Sequence, residues 1–158
     1  MDKYVVTKDE ITAYEGTQKA HYLNPKARRI NKSLGDLTGL TGFGIHIIEV
    51  NPGDDTTVLH VHHHEDGVYV LEGQAQATIG DAVVTLGRGD FVGYRAGGLA
   101  HKLKNSGSGV LKCIVVGGCL THDVADYPEL NKRLYRNPGL NWNLVDTENI
   151  SEPDAGKK

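Results

Sequence analysis

The chain has 158 residues and a mass of 17.1 kDa, the usual size of one domain. Its 17 Lys and Arg stand against 20 Asp and Glu, a net charge of −3, so no global basic field draws it to a nucleic-acid backbone. No run approaches the ~18 consecutive apolar residues of a membrane span, and Met1-Asp2-Lys3-Tyr4 opens no apolar signal core, which leads to the expectation of a cytoplasmic protein that binds no membrane.

Residues 1–39 read as a polar N-terminal arm with one early strand, carrying a basic run at Lys26, Arg28, Arg29 and Lys32 before the turn residues Gly35-Asp36 and Gly39. Residues 40–120 change character. Short β-branched runs at 43–50, 56–62, 68–71, 75–79, 82–86, 91–94 and 110–116 are punctuated by Gly or Pro-Gly, the pattern of an all-β sandwich or barrel. Gly80-Asp81 marks a hairpin within it. In residues 121–158, Asp126 as a cap, Pro128 in the first turn, and the i,i+4 pairs Glu129/Arg133 and Leu130/Leu134 predict a short helix that stops before Pro138-Gly139. A tail held by Trp142 and Leu144 follows, and no linker separates the three zones, so all form one structural domain.

Cys113 and Cys119 have neither redox nor zinc-knuckle spacing and read as core or strand-end thiols. Arg88-Gly89-Asp90 reads as an inter-strand turn, His46 as a packed core histidine, and Tyr69, Tyr94 and Trp142 as core or rim residues. No dinucleotide fingerprint, P-loop, nucleophile elbow or helix-turn-helix is present in the sequence.

The chemistry concentrates in His60-Val61-His62-His63-His64-Glu65-Asp66. On a strand, side chains repeat every two residues, so His60 and His62 share one face while His63 points away. A third ligand from the following turn and a fourth from a distant strand would complete a nitrogen and oxygen site, with Asp66 and His101 the natural candidates. Such a donor set suits iron, manganese, nickel, copper or zinc. His64 lies in phase with His60 and His62 and is a substitute ligand or an acid or base.

The stretch Pro52-Gly53, His60-Val61-His62, Asp66 and Tyr69-Val70-Leu71-Glu72-Gly73 resembles the first motif of the cupin superfamily, and residues 89–97 with His101 and Asn105 resemble its second. Arg28-Arg29, Leu34-Gly35-Asp36 and Phe43-Gly44 resemble the lead-in of a largely uncharacterised group of small single-domain bacterial cupins. The resemblance implies a double-stranded β-helix, a jelly-roll barrel, commonly a homodimer, with one divalent transition metal inside. Carried over by position, the ligands are His60, His62, His101 and Asp66, the last standing where the family usually has glutamate, while Arg95 stands in place of a proline.

The function expected is that of a metal-dependent enzyme on a small organic substrate, of oxygenase, decarboxylase, lyase or isomerase type, since the fold does not choose among them. The alternatives are a small-molecule-binding or sensory module without catalysis, and a dimeric structural protein with an empty barrel.

Overall fold

The computed structural model describes residues 3–154 and Gly156. In chain order it contains α1 (Lys8–Ala13), β1 (Thr17–His21), β2 (Asn24–Ser33), α2 (Leu34–Thr38), β3 (Phe43–Val50), β4 (Val61–His62), β5 (Asp66–Glu72), β6 (Gln74–Ile79), β7 (Ala82–Gly87), β8 (Phe91–Tyr94), β9 (His101–Asn105), β10 (Leu111–Gly118), β11 (Asp123–Tyr127), β12 (Lys132–Arg136) and β13 (Asn143–Asp146). Every strand pairing is antiparallel.

Period-two burial builds the barrel. In β8, Val92 and Tyr94 turn inward while Phe91 and Gly93 face out; in β9, His101, Leu103 and Asn105 turn inward between two lysines. One wall has the strand order β1-β2-β3-β10-β5-β8, and the opposing wall has β7-β6-β9. Ile48, Val50, Val68, Val70, Leu111 and Cys113 from the first meet Ala75, Ala77 and Leu103 from the second in a continuous apolar core. The double-stranded β-helix expected from the sequence is the fold observed. The Gly80-Asp81 hairpin forms between β6 and β7, with Gly80 at φ +55 and Ile79 opposite Ala82. The tripeptide at residues 88–90 is a turn in which Asp90 accepts a hydrogen bond from the Gly87 N–H at 2.7 Å.

Four expectations are revised. The N-terminal arm holds two strands, not one: β1 and β2 form a hairpin, and β2 extends the barrel wall by pairing Ile30 with Glu49 through Ser33 with His46. Its basic run is therefore strand, with Lys32 against Glu49 at 3.4 Å. The predicted strand 56–62 is regular only at Val61–His62, because residues 54–60 track β9 intermittently, through Thr56 N–H to Leu103 O at 2.8 Å and reciprocal bonds between His60 and His101. The strand β9 itself escaped detection, although His101, Leu103 and Asn105 alternate cleanly with Lys102 and Lys104.

The C-terminal helix is also corrected. Only a single 3-10 turn forms, Pro128–Leu130, and it joins β11 to β12 through Asn131 in the left-handed region at φ 51. The flanking residues pair across the turn instead, Tyr127 with Lys132 through Asp123 with Arg136. Burying Ala125, Tyr127 and Leu134 against Leu23 and Val58 outweighs the local i,i+4 pairs. Of the cysteines, Cys113 is buried in the core and Cys119 is exposed just beyond β10.

Asn105 pins the turn that follows β9. Its side-chain amide donates to Val50 O and Gly109 O, each at 2.8 Å, and its Oδ1 accepts from Gly107 N–H at 2.9 Å. Asn105→Ala leaves these backbone groups unpaired in the interior and should lower the unfolding free energy by about 3 kcal/mol in urea denaturation. A loss below about 1 kcal/mol would mean that water replaces the amide.

Candidate metal centre

His60 and His101 face each other where the two segments bridge, and both side chains are buried. Each ring is aimed by its own backbone: His60 Nδ1 lies 2.8 Å from Val58 O, and His101 Nδ1 lies 3.1 Å from Leu99 O. A carbonyl only accepts, so Nδ1 carries the proton and the lone pair of the neutral ring sits on Nε2, facing the cavity. Tyr94 stacks on the His101 ring at 3.7 Å with 5° between planes, which locks it further.

The His62 ring stands 4.4 Å from the His60 ring and 4.4 Å from the His64 ring, so the three histidines of alternate parity do share one face. Asp66, at the start of β5, reaches between them: its Oδ2 is 4.0 Å from His62 Nε2 and its Oδ1 is 3.9 Å from His101 Nε2. Donor atoms bound about 2.1 Å from one ion stand roughly 3 to 3.5 Å apart, so a contraction of about half an ångström suffices. The shorter aspartate thus spans the gap. His62, His64 and Asp66 also have donor atoms within 4.8 Å of one another.

The donor chemistry fits a divalent cation. Asp66 Oδ1 and His101 Nε2, which face each other across 3.9 Å, are buried with no hydrogen-bond partner among the described residues, an arrangement that costs free energy unless something accepts their lone pairs. Burial, then the neighbouring His101, drives His60 down from 6.5 to about 4. Burial, then His60 and His64, takes His62 to about 2. All the imidazoles of the cluster are therefore neutral, as ligation requires. Burial lifts the Asp66 carboxyl from 3.8 to about 6.

Two neighbouring histidines divide sharply. His63 turns outward, as strand parity predicts, and its Nε2 meets Asp126 Oδ2 at 2.9 Å. His64 turns inward, where its Nδ1 is held by Asp123 Oδ1 at 3.0 Å. A carboxylate only accepts, so His64 keeps its proton on Nδ1 and a free lone pair on Nε2. Asp123 is in turn paired with Arg136, whose guanidinium lies beneath Trp142 at 5.2 Å.

His60, His62, Asp66 and His101 line a cavity of about 240 Å³, and a wider cleft of about 990 Å³ shares His60, His62 and Asp66 with it and adds His64, Asp123, Arg136 and Trp142. His46, read from the sequence as a packed core residue, lines both, with Asn31 Nδ2 at 3.3 Å from its Nδ1. Gly44 gives its ring room: a Cβ there would lie 2.8 Å from His46 Nε2. Tyr94 lines the inner cavity with a buried, unpartnered hydroxyl whose pKa burial raises, so it stays protonated. Lys19, His21, Tyr22 and Arg29 also line the cleft, with Asp123, Tyr127 and Arg136 from the C-terminal sheet. Sequence reasoning singled out none of these as site residues. The available signal was the alternation of Asp123, Ala125 and Tyr127 in one short run.

The cupin domain model matches residues 46–117. A crystal structure from Acidithiobacillus ferrooxidans, described as a candidate sugar phosphate isomerase, is 45% identical over 96% of this chain and 97% of that one, with a TM-score of 0.91. The chain belongs to the cupin superfamily. A sugar phosphate isomerase of that superfamily from Silicibacter pomeroyi shares the fold at 19% identity, covering 88% and 90% of the two chains, with a TM-score of 0.74. A cupin 2 domain-containing protein from Halorhodospira halophila matches 58% of this chain and 65% of its own at 25% identity, with a TM-score of 0.53. No curated protein matches the chain.

The buried groups of this cupin set its acid stability. An imidazole depressed in the folded state lowers stability as pH falls, because only the unfolded chain takes up the proton; His60 acts from 6.5 down to 4 and His62 from 6.5 down to 2. Asp66 acts oppositely, lowering stability as pH rises from 3.8 to 6. Two imidazoles against one carboxyl give the sign. The chelated protein should melt at a lower temperature at about pH 4.5 than at about pH 7 by calorimetry. An equal or higher Tm at the lower pH would show that these rings are solvated.

Proposed function

We propose that this cupin is a metal-dependent isomerase of sugar phosphates, with His60, His62, Asp66 and His101 as the metal ligands and His64 as the base. The observation that carries the reading is the 45% identity to the candidate sugar phosphate isomerase over nearly the whole of both chains. The His64–Asp123 pair beside the ligand cluster supports it chemically.

Moving a carbonyl between adjacent carbons of a sugar requires one proton to leave the carbon beside the carbonyl and one to arrive at the former carbonyl carbon. A bound divalent metal supplies Lewis acidity toward the carbonyl and its neighbouring hydroxyl. His64 Nε2 accepts the carbon-bound proton; Asp123 holds the Nδ1–H and stabilises the imidazolium that forms. The same imidazolium returns the proton to the adjacent carbon and so restores the neutral ring, while the proton of the neighbouring hydroxyl passes to the former carbonyl oxygen, which balances the step. Tyr94 offers its hydroxyl proton as a hydrogen bond to a substrate oxygen in the inner cavity.

The reading extends to a cytoplasmic homodimer. Tyr69 and Phe91 stand opposite each other on the outer face of β5 and β8 and are exposed, an apolar strip suited to a second copy. A light-scattering mass of one chain at high concentration would remove this part.

Tag-free protein, chelated and then reconstituted, should take up one equivalent of iron, manganese, nickel, copper or zinc. His62→Ala and Asp66→Asn should each weaken uptake by about tenfold or more. His64→Ala should keep the metal but lower kcat on aldose and ketose phosphates by about 10²- to 10⁴-fold, and products formed in deuterated water should carry carbon-bound deuterium. Full uptake by His62→Ala would refute the ligand set, and tight binding of a sugar phosphate without turnover would replace the enzyme by a metabolite-binding module.

A further inference from the structure

Four basic residues line the cavity, Lys19, Arg29, Lys102 and Arg136. Arg136 is neutralised by Asp123. Lys102 alternates with the inward His101 and Leu103 on β9 and is not among the residues that line the wider cleft. Lys19 and Arg29 remain. They are direct cross-strand partners in the β1–β2 hairpin, and neither meets a carboxylate among the described residues, whereas Arg28 on the same hairpin has Asp54 at 3.2 Å and Lys32 has Glu49 at 3.4 Å.

Like charges placed opposite each other on one face of a sheet repel, and the arrangement persists without a compensating acid. Arg29 donates to Thr56 O; the rest of its fork has no protein acceptor among the described residues. Both positive charges are felt inside the cavity, where after burial Lys19 and Arg29 lower the His46 pKa against the opposing effect of Asp36. The two cations thus line the same cavity as His60, His62 and Asp66.

We propose that Lys19 and Arg29 form the subsite for the phosphate group of the substrate, with the reacting carbons placed toward the histidine and Asp66 cluster. The guanidinium fork and the ammonium together match a dianionic phosphate monoester in charge and in donor geometry. The assignment of ligand class rests on the sugar phosphate reading, but the subsite itself requires neither metal nor turnover. It also gives the N-terminal hairpin a task in recognition that the barrel strands do not share.

The test is titration of inorganic phosphate into the chelated full-length protein, followed by calorimetry, with acetate as the carboxylate comparison. Lys19→Met and Arg29→Met should each weaken phosphate binding by about tenfold or more, Arg29→Lys should recover part of the loss, and raising salt should weaken binding in the wild type. The metal content of all three variants should stay at the wild-type value. In steady state on a sugar phosphate, the loss should fall chiefly on KM. Phosphate affinity unchanged in Lys19→Met and Arg29→Met, or acetate bound as tightly as phosphate, would overturn the subsite. If phosphate binding depends on the pair while no sugar phosphate turns over, the subsite stands and the isomerase reading fails; if turnover is seen with phosphate affinity indifferent to both residues, the reverse holds.

Discussion

The centre of this molecule is organised around lone pairs that water does not reach. Among the described residues, Asp66 Oδ1 and His101 Nε2 are buried without partners. The clamp is local and redundant. His60 and His101 are tied ring-to-backbone two residues away, His101 is held flat against Tyr94, and the two histidines are joined by reciprocal main-chain bonds. Their rings cannot swing out to relieve the desolvation, so the cluster stays poised to ligate a cation.

Around that centre the charge is sorted. Imidazoles and one carboxyl of raised pKa occupy the inner end, while the cleft is also lined by two cations without carboxylate partners among the described residues and a third held by Asp123. His64 sits at the boundary, its proton fixed on one nitrogen by Asp123. This sorting depends on short-range hydrogen bonds more than on net charge, which is close to zero for the chain.

The barrel was legible because its signals are local. Strand parity alone put His60, His62 and His64 on one face and His63 on the other, and turn residues marked the ends of β3, β6, β7 and β8 within a residue. The site's outer half was not legible, because its members are far apart in the chain: Tyr22 and Tyr127 touch hydroxyl to hydroxyl at 2.6 Å across 105 residues. The segment 126–134 misled for the opposite reason. Its i,i+4 pairs satisfy a helix template, but Asn131 accepts a left-handed turn, and the alternation of Ala125, Tyr127 and Leu134 finds an apolar partner only when the chain doubles back. His46 was misjudged because an apolar strand neighbourhood does not reveal that Gly44 and Asn31 leave one side of the ring open.

The histidine and Asp66 floor of the cavity comes from the middle of the chain, whereas its mouth is assembled largely from the two ends, the β1–β2 hairpin and strands β11 and β12 with the segment that follows them. The apolar core between the barrel walls involves neither end. Insertions, deletions or exchanges in the terminal segments can therefore redraw the rim while the strands that hold the histidines keep their register, so one histidine floor can stand under many different rims.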